Sequence, residues 1–363
     1  MGGNSLRIRV KAWQMALIAA FCLQLTVLTP VSSQQQRGGV DSTVPGTALP
    51  RYEGLIQTDI TTMPETDLPT PPGSKASFFR PKAPDWTYKL PPNFWINASC
   101  EAAQRFDSNV FQTLGGGVCD YSFRVQPRIE TGWRFSNRFQ PYVEYFVIKD
   151  VFVKATDFNP PTSQSLAAGV KGSIWTKFDP EDKGLRKTLS YDFRAREWWF
   201  NSHQRQYDLL PALIYEQVLR YKSKTSHTKY ELRGLLQLDQ RKTRDSGSTE
   251  EIDPFLSARI IHARGRWLGS AGVTVPVDFP TYTGDKPRLR TGAVIGTIDI
   301  ARQMKNIPNA FMFVQAQPIW NFSDESVPGY SGFNFRLFSG LRLVFNRSPV
   351  TPTVKHIWKN QPQ

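Results

Sequence analysis

Between Phe123 and Phe135 hydrophobic and polar positions alternate almost without a break. The odd positions hold Phe, Val, Pro, Ile, Thr, Trp and Phe, and the even ones Arg, Gln, Arg, Glu, Gly and Arg. Period two is the signature of a β-strand with unlike faces, and soluble strands are commonly about five or six residues long. This run is more than twice that. Phe123 and Trp133 would lie about 33 Å apart along it, which a tilted strand projects to about 25 Å. An apolar band of that height with an aromatic residue at each rim predicts a strand that crosses a membrane.

The pattern returns at 140–154, 165–178, 187–200, 205–222, 229–241, 255–262, 267–279, 288–302, 310–322 and 332–346. In the last, Phe333, Phe335, Leu337, Ser339, Leu341, Leu343 and Phe345 oppose Asn334, Arg336, Arg342 and Asn346. DPEDKG, RDSGSTEE and SDESVPGYSG between runs carry turn chemistry. Eleven visible runs predict twelve strands, since bacterial barrels of this kind are even-numbered. The twelfth is expected within 104–121, or else one of the boundaries above is misplaced. Pro127, Pro211, Pro276 and Pro318 fall inside runs and should each mark a bulge or a strand end. The competing fold is a soluble β-sandwich, propeller or jelly roll, with shorter strands.

The first third of the chain reads differently. Arg7, Arg9 and Lys11 precede an apolar run from Met15 to Leu28, with small residues near Ser33. Residues 1–33 therefore read as a secretory signal peptide, the run being shorter than the roughly 20 residues that span a bilayer. Residues 34–93 are Pro-rich and without periodicity, a linker. Residues 94–121 read as a short helical element through Ala102, Ala103, Phe106 and Val110, capped by Asn97 or Ser99 and ended by Gly115, Gly116 and Gly117. Export favours a disulfide between Cys100 and Cys119. The formal charge is +14. Lys and Arg balance Asp and Glu from Gln34 to Trp95, so the mature excess lies downstream.

At Phe338–Phe345, FSGLRLVF, the chain resembles the terminal-strand assembly signal of bacterial outer-membrane β-barrel proteins: Gly340, then Leu343, then Phe345. Phe338 stands where that pattern is usually polar, and the chain runs on past Phe345. The resemblance covers residues 122–346 and leaves 347–363 as a tail. It implies an all-β, antiparallel up-and-down transmembrane barrel in the outer membrane, with the linker periplasmic, and porin-like function. Outer-membrane lipid and the barrel-assembly machinery are the implied partners.

The polar face of the barrel carries the chemistry. Arg124, Arg128, Arg134, Arg194, Arg196, Arg233, Arg288, Arg290, Arg336 and Arg342, with Lys229, are expected in the lumen. Glu130, Glu144, Asp192, Asp208, Glu216, Glu231 and Asp239 share that face. Guanidinium forks suit carboxylate, sulfate and phosphate, and rings of them favour anions in pores. The first expectation is a channel for small anionic solutes or acidic oligosaccharides. The alternatives are a barrel shut by Arg–carboxylate networks that exports, assembles or tethers an envelope component, and a soluble secreted β-sandwich binding protein. No enzyme is expected. A barrel hydrolase needs Ser and His on one strand face, and His203, His227, His262 and His356 offer no such pair. No metal, cofactor or nucleic acid is implied.

Overall fold

The structure, a computed structural model, describes residues 91–347 except 92, 109–118, 154–162, 179–184, 200–204, 223–225, 244–246, 281–290, 306, 308 and 324–331. The signal peptide, the linker up to 90, Gly115–Gly117, Arg288, Arg290 and the tail from 348 on lie outside the described residues, and Arg347, expected to open the tail, ends the last strand.

The strands are β1 (Phe94–Asp107), β2 (Asp120–Trp133), β3 (Gln140–Phe152), β4 (Ser163–Phe178), β5 (Leu185–Trp199) and β6 (Arg205–Lys222). β7 (Ser226–Thr243), β8 (Gly247–Arg264), β9 (Trp267–Pro280), β10 (Thr291–Gln303), β11 (Ala310–Ser323) and β12 (Gly332–Arg347) complete them. Each pairs antiparallel with its neighbours in sequence, and β1 pairs with β12 to close the barrel. The expected count and up-and-down order stand.

The expected helix at 94–121 does not. Phe94–Asp107 is the closing strand, in register from Ile96 opposite Arg347 to Asp107 opposite Arg336. Trp95, Glu101, Ala103, Arg105 and Asp107 are buried on its inner face. Alanines at 98, 102 and 103 mask this alternation, because a small residue satisfies helix and strand patterns alike. The barrel therefore begins at Phe94 and not at 122. The disulfide fails for the same reason. Extended backbone sets Cys100 seven positions before Asp107, which pairs with Asp120 beside Cys119. That is about 23 Å of strand, far beyond the ~7 Å limit for bridged Cα atoms. Both residues are thiols, and Cys119 Sγ lies 3.4 Å from the Ser108 carbonyl oxygen.

The prolines produce neither bulges nor ends. Pro127 keeps its place opposite Cys100 on β1, while the β2–β3 ladder passes from Val125–Lys149 directly to Arg128–Phe146 in unchanged register. Pro211 stands opposite Phe193, and the β6–β7 ladder resumes at Ala212–Gln237. Pro276 and Pro318 likewise pair on one side and interrupt the ladder to β10 on the other. A missing N–H removes hydrogen bonding on one edge alone, so the loss is local. The register shift, between Ser173 and Trp175 against β5, involves no proline.

Alternation assigns the two faces. The outward one is apolar at mid-height, with Ile129, Val143, Leu166, Leu213, Leu256, Val273, Ile298, Val314 and Leu341 exposed. Exposed aromatics flank this band: Phe139, Trp175, Tyr221, Tyr230 and Trp267 near one end, Tyr121, Phe123, Tyr207, Trp320 and Phe333 near the other. Tyr221 and Tyr230 meet edge to face at 5.9 Å, and Trp320 and Phe333 lie 6.4 Å apart.

The chain enters β1 and leaves β12 at the same end, here the terminal end. Its connections include 223–225 and the two-residue turn Gly265–Arg266, where Gly265 takes a φ of 58° that other residues rarely adopt. The longest connections, 108–119, 153–162 and 281–290, all lie at the far end. Where β12 meets β1, a Cβ on Gly340 would overlap the Ala102 carbonyl, so glycine lets the closing strands approach. Leu343 of the expected assembly signal faces outward opposite Cys100, and Phe345 pairs with Ala98.

Candidate functional site in the barrel lumen

Inward positions divide into a packed part and a wetted part. The packed part is built first by side chains from β8 through β12 and β1. Ile261, Ala263, Leu268, Ala301, Phe311, Phe313, Phe338, Val344 and Ala103 form one apolar cluster inside the barrel. Charged groups border it. Arg342 donates to Glu101 at 3.0 Å and lies 3.5 Å from Asp299, with its guanidinium 4.1 Å from the Phe313 ring centroid.

Toward the far end the packing is ionic. Asp150 on β3 accepts from Arg124 Nε at 2.7 Å and Nη2 at 2.6 Å, and from Arg105 at 3.1 Å. Asp107 accepts from Arg105 at 2.5 Å and from Arg336 at 3.1 Å. Arg105 and Arg124 also lie over the Phe338 ring, at 5.8 and 5.5 Å. All these groups are buried. Three guanidinium groups held by two carboxylates and an aromatic face make a cross-braced network, because a buried charge needs both a counter-charge and hydrogen bonds. Arg124, Arg336 and Arg342, expected to face a lumen, do face inward, as components of this packing.

The wetted part runs along β1–β8. Arg128 pairs with Glu144, and Arg194 lies 3.9 Å from the same carboxylate. Lys171 reaches Glu130 at 2.7 Å and sits 4.3 Å over Trp95 and 4.8 Å over Tyr142. Arg196 donates to Asp208 at 2.7 and 3.0 Å and stacks 4.7 Å over Trp198. Arg186 meets Glu216 at 3.0 Å, and Arg259 meets Glu231 at 3.3 Å. Lys229 also pairs with Glu231.

These pairs are not symmetric toward water. Side-chain exposure is 32% for Lys171 against 13% for Glu130, 18% for Arg128 and 14% for Arg194 against 7% for Glu144, and 11% for Arg196 against 0% for Asp208; only Glu216, at 27%, exceeds its partner Arg186, at 20%. Among the described inward residues, seven cations are partly exposed: Arg128, Lys171, Arg186, Arg194, Arg196, Arg233 and Arg259. Three carboxylates are: Glu130, Asp192 and Glu216. Several counter-charges stand behind the guanidinium groups, and the face offered to solvent is cationic.

Of the arginines expected in the lumen, Arg134 falls just past β2, at the rim, where its backbone N–H bonds the Asn93 carbonyl at 2.9 Å. Arg128, Arg194, Arg196 and Arg233 occupy the wetted strip. Asp239 pairs opposite Glu251, its side chain lying outside the described residues. Arg105, Asp107 and Glu101 were not legible in the sequence, because the alanines of β1 fit a helix as well as a strand. Lys171, whose strand VKGSIW alternates weakly before the register shift, was not expected there either, nor were Arg186 and Arg259. The signal for the last two was present: Arg186 precedes Thr188 and Ser190 at period two, and Arg259 follows Ser257.

Comparison with known proteins gives a fold-level likeness. No family model matches the chain, and no curated protein does. Among similar solved structures is the translocator domain of the autotransporter NalP from Neisseria meningitidis, at 12% identity, covering 83% of this chain and 99% of that one, TM-score 0.35. The NanC porin is similar at 10% identity over 66% of this chain and 98% of its own, TM-score 0.36. An anion-selective porin from Comamonas acidovorans matches at 10% identity, over 69% and 98%, TM-score 0.27.

Proposed function

We propose that this protein is an outer-membrane β-barrel that passes small anionic solutes along the wetted strip of its lumen. The membrane reading is supported by the outward face. A continuous apolar band between two aromatic girdles is costly in water and fits hydrocarbon bounded by headgroups. The longest connections lie at the end away from the start of β1, as extracellular loops do, which supports a periplasmic side for the linker.

The observation that carries the anion reading is the unequal exposure of cations and carboxylates. An anion moving along the strip meets Lys171, Arg128, Arg194 and Arg196, while Glu144 and Asp208 are shielded behind them. Fixed cations at close quarters favour anions, and guanidinium forks favour carboxylates in particular. The packed remainder narrows the passage, so conductance should be small for a twelve-stranded barrel. Purified protein in a planar bilayer under a salt gradient tests this: small unitary currents should reverse at a potential reporting anion preference. Cation preference would defeat the reading.

A second reading rests on the Arg105–Asp107–Arg124–Asp150–Arg336 network, which closes its part of the lumen. If the whole bore is shut, the barrel tethers or assembles an envelope component. Well-folded protein without any current would favour it.

A further inference from the structure

Every inward cation named above has a carboxylate beside it or lies in a strip containing several. The outward face at the terminal end contains the reverse. On β8, β9 and β10, Arg264 and Arg302 are both register partners of Trp267. Alternation turns all three outward, and all three are exposed. The Arg302 guanidinium lies 5.1 Å from the Trp267 ring centroid. Arg266, exposed in the adjoining turn, adds a third cation. None of Arg264, Arg266 and Arg302 has a carboxylate partner among the described residues. One position further along, His262 Nδ1 and Thr228 Oγ1 lie 2.9 Å apart, also outward. Met312, the register partner of Arg302 on β11, continues the row as an exposed apolar side chain, and toward mid-height the surface turns apolar at Ile260 and Ile300.

From this arrangement we infer a binding site for an anionic phospholipid. Arg264 and Arg302 stand two strands apart with Trp267 between, which spaces their Cα atoms by about 10 Å. Their side chains can converge on one phosphate from both sides. Trp267 is of the type that settles at the headgroup level, and the Ile260, Ile300 and Met312 surface offers an acyl chain a dry track. A soluble anion would gain nothing from that track; a lipid uses both parts. The inference rests on the membrane reading, though not on conduction, and the lipid lies in the leaflet at the end where β1 begins and β12 ends.

The test uses the full chain in dodecyl maltoside micelles, titrated with dioleoylphosphatidylglycerol or dioleoylphosphatidylcholine and read by native mass spectrometry. Phosphatidylglycerol should be retained at least tenfold more strongly. R264Q/R302Q should erase that preference without changing phosphatidylcholine retention. Lys149→Gln, an outward cation on β3, should leave the preference intact. Heat-modifiable migration on a detergent gel verifies folding of each protein; should the double variant misfold, R302Q alone supplies the comparison. Equal retention of the two lipids, an unchanged preference in the variant, or displacement by millimolar inorganic phosphate would overturn the lipid site. The first of these, in protein that still shows a compact heat-modifiable band, leaves the barrel standing. Absence of that band from wild type overturns the membrane reading itself.

Discussion

The packed network around Asp150 and the wetted strip around Arg194 use the same side chains to opposite effect. Around Asp150, three arginines and two aspartates are sealed from water, so each charge depends on its neighbours. Along the strip, guanidinium groups are partly exposed, so their charge does not depend on the neighbouring carboxylates alone. An arginine on the inner face of the barrel is thus sealed as a brace or left accessible according to the volume around it. Here that volume is set by inward Phe311, Phe313 and Phe338 on one side and by Thr188, Ser190 and Asp192 on the other.

Substitutions can break this contrast, and the largest effect belongs to the brace. Asp150→Ala removes the carboxylate shared by Arg124 and Arg105, and should cost about 3–5 kcal/mol. The urea midpoint of the folded form in lipid vesicles measures it; a change within error would mean that the network is hydrated. Phe338→Ala should cost about 3 kcal/mol through the cavity it leaves. It also withdraws the ring beneath Arg105 and Arg124. Unlike Asp150→Ala, it should raise single-channel conductance, and unchanged current would place the narrowest point elsewhere. Lys171→Gln is the mild case: its exposed ion pair and aromatic contacts should be worth about 0.5–1 kcal/mol. A loss as large as that of Asp150→Ala would show that the strip is dry.

Barrel, strand order and inward arginines were legible because a strand that separates lipid from lumen must alternate over its whole length. The division of the lumen was not. Arg124 and Arg128 are identical residues four positions apart on one face. What distinguishes them is Phe338 and Asp150 against the first and the accessible strip beside the second, contacts set by closure of distant strands. β1 escaped notice because alanines blur its period, and with it went Arg105, Asp107 and the geometry that separates Cys100 from Cys119. The prolines misled in a different manner. A closed ladder has two sides, and losing one rung on one of them leaves the strand in place.

Charge at the wetted strip provides the most direct test. Arg186→Gln with Arg194→Gln removes two partly exposed cations from β5, and Glu144 keeps Arg128 as its partner. In a planar bilayer under a potassium chloride gradient, wild-type protein should reverse at a potential on the anion side. The double variant should shift toward the cation side with little change in conductance. The same reversal potential in both proteins, each conducting and folded, would contradict the assignment of anion selectivity to the wetted arginines.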